Sequence, residues 1–155
     1  MKNKQIFIKP VSLVLAVILI MFSFSSCEVK PVAPDEKAFS LVMDYAQTTL
    51  KKGDKVTYKA ILKNNSHEVY TLDHTDKLIY ISIVKAEDYK NDKIVSASAS
   101  STDIAPHGQV EEFFDFTAVE KGDYILKAYA VFSIDGKDGV KEYSYECNEI
   151  KITVK

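Results

Sequence analysis

From residue 39 onward the apolar side chains fall on every second position, in short runs separated by glycine, asparagine and aspartate. That period belongs to strands with one face buried, because successive side chains of a strand point to opposite sides. Phe39, Leu41, Met43 and Tyr45 make the first run, and Val56, Tyr58, Ala60 and Leu62 the second. Further strands are expected at 69–72, 78–84, 94–99 (weak), 110–119, 124–134 and 140–154. In the aromatic-rich run Phe114, Phe116 and Ala118 share one side; in the longest, Tyr124, Leu126, Ala128, Ala130 and Phe132 do. Turn chemistry separates the runs at Lys52-Gly53-Asp54, Asn64-Asn65-Ser66, Asp73-His74-Thr75-Asp76, Ala105-Pro106-His107-Gly108 and residues 135–139. No segment after residue 27 sustains a helical period. Seven or eight short strands over residues 39–155 predict one all-β domain, an antiparallel β-sandwich.

The last run changes parity. Tyr143, Tyr145 and Cys147 occupy odd positions, Ile150, Ile152 and Val154 even ones. One strand cannot keep both sets on one face, so a β-bulge is expected between Cys147 and Ile150. If residues 135–139 form the hairpin loop, Ile134 lies opposite Val140, Val131 opposite Tyr143 and Tyr129 opposite Tyr145. With Tyr124, Leu126 and Ala128 buried, that register turns Tyr129, Val131, Tyr143 and Tyr145 outward as a candidate binding patch. A register shifted by one residue makes the rings core instead, and the sequence leaves both open.

The first 26 residues are of another kind. Lys2, Lys4 and Lys9 precede an apolar run at 11–24 that ends in Phe24-Ser25-Ser26-Cys27. A basic start, an apolar middle and small residues at the end are the marks of an export signal. The run is shorter than the ~20 residues that span a bilayer comfortably. The ending resembles the lipobox of bacterial lipoproteins, in which the cysteine receives a diacylglyceryl group and becomes the new N-terminus. The resemblance implies lipidation at Cys27, with palmitate-type chains holding the protein to a bacterial cell membrane or outer membrane on the extracytoplasmic side. Residues 1–26 are then the signal peptide and residues 27–38, containing Pro31 and Pro34, an extended tether.

All 20 basic residues are lysine, three of them inside the signal, so the mature chain carries 17 basic and 22 acidic residues. A domain of that charge without arginine offers no footprint for phosphate backbones, and nucleic acid is not an expected partner. With Cys27 acylated, Cys147 stands unpaired, and a small apolar filler is the expected role of a single strand cysteine.

No catalytic motif is present, and no catalytic residue, cofactor or metal site is expected. His67, His74 and His107 fall in separate turns. Asp73, His74 and Asp76 have the residue types of a metal site or a scattered hydrolase site, and equally those of a tight turn, which is the expected reading. Asp135 and Asp138 lack the spacing of a calcium loop.

Two clusters carry a family resemblance. One is Leu62-Lys63-Asn64-Asn65-Ser66 with Val69-Tyr70-Thr71-Leu72. The other is Ile104-Ala105-Pro106-His107-Gly108 with Phe114-Asp115-Phe116 and Lys121-Gly122-Asp123-Tyr124-Ile125-Leu126. Together they resemble bacterial immunoglobulin-like domains, in particular the intracellular proteinase inhibitor family, from which His107 and Asp115-Phe116 depart. The resemblance implies an immunoglobulin-like sandwich. Tyr124, opening a late strand, is expected to pin a corner through its hydroxyl. The expected function is that of a monomeric, lipid-anchored, non-catalytic binding or accessory domain for a protein or glycan. Inhibition of an extracytoplasmic protease is the alternative, and a small hydrolase a more distant one.

Overall fold

The computed structural model describes residues 30–89 and 99–155. The export signal, Cys27 and nearly all of the weak strand expected at 94–99 lie outside those residues. Among the described residues, ten strand segments follow a 3-10 turn at Glu36–Ala38. They are β1 (Phe39–Asp44), β2 (Thr49–Leu50), β3 (Lys55–Asn64), β4 (Tyr70–His74), β5 (Ile79–Lys85), β6 (Ser100–Ile104), β7 (Gln109–Thr117), β8 (Gly122–Gly136), β9 (Gly139–Glu146) and β10 (Ile150–Val154).

Two sheets form. The smaller runs β1-β3-β7, all antiparallel. The larger is organised on β8, whose 15 residues carry partners along both edges. On one edge β9 pairs with its second half and β10 with its first; on the other, β5 and then β4. β6 lies outside β4, and β2 runs parallel to β10 at the far side.

Both flanking strands are broken where their register to β8 changes. Between the pairs Tyr129–Glu146 and Leu126–Ile150, three residues (Cys147, Asn148, Glu149) stand opposite two (Lys127, Ala128). This is the one-residue insertion that the change of parity requires. It restores Ile150 and Ile152 to the side already held by Tyr143 and Tyr145. Cys147 Sγ accepts the Ala128 N–H at 3.1 Å, while the Cys147 N–H donates to the Ala128 carbonyl, so the bulge leaves that stretch of β8 satisfied.

The ten segments thus fill eight strand positions among the described residues. The first strand divides between the sheets, β1 antiparallel to β3 and β2 parallel to the last strand. With three strands facing a sheet centred on β8, this is an immunoglobulin-like sandwich. The alternation places Tyr58, Ala60 and Leu62 of β3 against Leu126, Ala128, Ala130 and Phe132 of β8, all of them buried.

The β8–β9 hairpin departs from the expected register. The turn is only Lys137-Asp138, with Gly136 opposite Gly139, so Asp135 pairs with Val140, Phe132 with Tyr143 and Ala130 with Tyr145. The strand runs two residues further than the expected loop allowed, and the shift by one flips β9. Tyr143 and Tyr145 therefore face inward, stacked on Phe132, and Tyr143 is 3% exposed. Tyr129 and Val131 lie on the opposite face, where Tyr129 stacks on Tyr80 with centroids 5.1 Å apart and is 7% exposed. The four residues do not form an exposed patch.

Tyr124 donates its hydroxyl to the Glu120 carbonyl at 3.0 Å, closing the corner before β8 as expected. Its ring packs edge-on against Phe116 of the other sheet. Tyr124→Phe keeps the ring and removes the bond, so urea unfolding is expected to show a loss of about 1 kcal/mol.

Candidate functional site

The leader of the domain is built into it. Residues 27–38 read as an extended tether, and from Lys30 onward the chain lies against the β8–β9 hairpin. Lys30 pairs with Asp135 at 2.5 Å, and the Lys137 N–H donates to the Pro31 carbonyl. Tyr143 donates its hydroxyl to the Pro34 carbonyl at 2.7 Å, and Tyr145 donates to the Glu36 carbonyl at 2.9 Å. The inward register of the two tyrosines brings their hydroxyls to this segment. A Cβ on Gly136 would stand 3.0 Å from the Ala33 nitrogen and 3.2 Å from the Pro31 carbonyl, so glycine admits the leader there. Proline carbonyls accept without a neighbouring N–H to satisfy, which suits a segment held by side chains.

Beside the leader, the β3–β4 and β6–β7 loops are joined by Asn64, the buried polar residue of the core. Its Nδ2 donates to the Glu68 carbonyl at 2.8 Å and the Ala105 carbonyl at 3.0 Å, and its Oδ1 accepts from the Ser66 N–H and hydroxyl. The Asn64 and His107 N–H groups also cross between the loops, to the Gly108 and Ser66 carbonyls. This clasp brings His67 and His107 together: His67 Nδ1 lies 3.0 Å from His107 Nε2, with the rings nearly perpendicular. His107 has the left-handed backbone angle φ +57°. Both rings are exposed. The sequence placed the two histidines in separate turns 40 residues apart, and the β3–β7 and β4–β6 pairings on either side of those loops make them neighbours.

The third histidine is occupied. His74 Nδ1 meets the Thr75 carbonyl and Nε2 the Thr102 hydroxyl, while the Asp76 carboxylate accepts from the Tyr80 hydroxyl and the Lys77 N–H. The Tyr80 bond holds the Asp76 carboxyl below its usual range. The expected turn over residues 73–76 is thus only half a turn: Asp73 and His74 are the last residues of β4, paired to β6, and the chain bends at Thr75 and Asp76. Among the described residues, no three His, Cys, Asp or Glu side chains are grouped to share a metal ion.

A shallow groove of about 410 Å³ runs between the free edge of β1 and the bulge, lined by Leu41, Met43, Tyr45, Cys147, Glu149 and Ile150. Burial pushes the Cys147 thiol above its ordinary pKa, which keeps it protonated and poor as a nucleophile. On the outer face of the small sheet Phe113 is 59% exposed, directly across from Lys59, with Ile61 and its partner Val42 further along the same face.

No protein-family model matches the chain, and no curated protein matches it. Solved structures with a similar arrangement include the CARDB domain of the PF1109 protein from Pyrococcus furiosus, determined in complex with di-metal ions. The two are 11% identical over 76% of this chain and 87% of that one, with a TM-score of 0.44. Another is beta-glucosidase from Listeria innocua (11% identity, 75% of this chain, 16% of that one, TM-score 0.42). A third is the sporulation control protein Spo0M from Bacillus subtilis (13% identity, 76% and 49%, TM-score 0.36). At this level of likeness neither ligands nor activities carry over.

Two measurements check this end of the molecule. Asn64→Ala removes the clasp and leaves the Glu68 and Ala105 carbonyls without their donor; a loss on the order of 2–3 kcal/mol is expected in chemical unfolding. Burial first, then Tyr143 and the Glu36 and Asp35 carboxylates, pushes the Tyr145 hydroxyl up to about 12. A tyrosine released by unfolding ionises near its ordinary 10.0, so alkali favours the unfolded chain. The contribution of Tyr145 is thus expected to be full below pH ~10 and to fall away between pH ~10 and ~12, and Tyr145→Phe should flatten that decline.

Proposed function

We propose that this chain is a lipid-anchored cell-envelope protein that presents a non-catalytic immunoglobulin-like domain for binding. Cys27 carries the lipid, and the domain recognises a protein or glycan through the exposed face of the small sheet. The observation that carries the binding half is Phe113, a large aromatic standing 59% exposed half-way along the edge strand β7, on the face that also carries Thr57, Lys59, Glu111 and Asp115. An aromatic ring on a rigid sheet offers contact area at low entropic cost, and the surrounding polar groups supply direction. Of the scattered groups around the β4–β5 connection, His74 is engaged by Thr75 and Thr102 and Asp76 by Tyr80.

The docked leader supports the anchoring half by defining how the domain is presented. Three residue steps separate Cys27 from Lys30, a reach of roughly 11 Å. A lipid on Cys27 would therefore hold the β8–β9 hairpin end close to the bilayer. The Gly53 and Glu120 turns, at the other end of β8 and β3, would point away from it.

Three readouts test the proposal. Cys27→Ser is expected to abolish acyl labelling and release the protein from membranes, and globomycin to leave a larger precursor. Unchanged size and retention in both would mean a plain membrane anchor. Phe113→Ser, on a water-facing position, is expected to leave the melting temperature within about 2 °C and to lower capture of envelope protein or glycan at least tenfold. Undiminished capture would remove the sheet face as the binding surface. Gly136→Ala is expected to cost about 1–3 kcal/mol by crowding Ala33, and to open residues 30–38 to limited proteolysis.

A further inference from the structure

We propose that His67 and His107 form a two-imidazole site for a divalent metal ion of the Cu²⁺, Ni²⁺ and Zn²⁺ class. Neutral imidazole suits these ions, and among them copper binds most tightly to a given nitrogen site. Two ring nitrogens each about 2.0–2.1 Å from one ion stand about 2.9–3.3 Å apart, for angles between square and tetrahedral. His67 Nδ1 and His107 Nε2 are 3.0 Å apart, within that span. Without metal, one ring N–H donates to the lone pair of the other. Turning each exposed ring by roughly 35–45°, with each proton on the outward nitrogen, aims both lone pairs at a shared ion.

The spacing is built by the fold. Asn64 binds both loops through its side chain, and His107 donates its N–H to the Ser66 carbonyl beside His67. His107 occupies the left-handed backbone region (φ +57°), with Gly108 the next residue rather than the one in that conformation. A side chain held in that region is a departure from the cheapest turn, of the sort found where the side chain has a use. Exposure of both rings leaves the remaining coordination positions to water or to a donor from outside the chain.

The test uses the full chain, solubilised in detergent and free of any polyhistidine tag. Titration with CuCl₂ is followed by calorimetry and by electron paramagnetic resonance, and with ZnCl₂ by calorimetry. One equivalent of Cu²⁺ is expected to bind with a two-nitrogen resonance signature, and mild acidification, which protonates imidazole, to release it. His67→Ala and His107→Gly are each expected to weaken Cu²⁺ binding at least tenfold. Glycine is the residue best suited to φ +57°, so His107→Gly keeps the turn and its melting temperature. His74→Gln, which alters the other histidine, is expected to leave the titration unchanged. Absence of stoichiometric binding overturns the proposal, and so does Cu²⁺ binding that persists in the His67→Ala/His107→Gly double variant.

Discussion

The structure depends on the two-sided pairing of β8. Its 15 residues hydrogen-bond to β9 and β10 along one edge and to β5 and β4 along the other. Its even-numbered side chains from Tyr124 to Ile134 are buried throughout. A strand paired on both edges and covered on its inner face has its backbone groups satisfied and its apolar area removed from water together. The neighbours accommodate to it: β9 and β10 absorb one extra residue at Cys147, Asn148 and Glu149, and the β4–β5 connection loops out between Asp73 and Ile79. In this sheet the irregularity falls on the strands flanking β8, while β8 itself runs unbroken between them.

The end of the sandwich that holds Gly136 and Gly139 is closed by polar contacts to backbone. Asn64 ties two loops, and Tyr143 and Tyr145 hold the leader through carbonyls that have no strand partner. Each bond is worth little by itself in water, about 1 kcal/mol. Their joint effect is geometric: the leader, the hairpin and the two histidine loops become one surface. A lipid-linked N-terminus on such a leader would give the domain a defined orientation toward the bilayer, where a loose tether would allow it to turn freely.

The distribution of chemistry fits a binding role. His74, Asp76 and Cys147 serve a turn, a tyrosine hydroxyl and a bulge. Phe113, Tyr45 and the His67–His107 pair face solvent. The recognition proposed for the sheet face and the metal capture proposed for the two imidazoles would be separate capacities, carried by different elements of the same scaffold.

Much of the fold was legible in the residues alone because a strand's period is local. The alternation at 56–62 and 124–132, the corner at Tyr124 and the parity change after Cys147 all follow from positions close in the chain. The parity argument needed no partner strand, since one strand cannot face both ways. What failed was the hairpin register. Asp135, Gly136, Lys137, Asp138 and Gly139 all read as turn residues, and whether the loop holds five or two of them depends on Gly136 being packed beneath Pro31 and Ala33. That contact joins residues about a hundred positions apart, and with it went the fate of Tyr143 and Tyr145. The docked leader and the histidine pair were hidden for the same reason. Composition and period determined that this chain makes strands and which side of most of them is buried; long-range contact alone decided which loops meet, and so where the exposed chemistry lies.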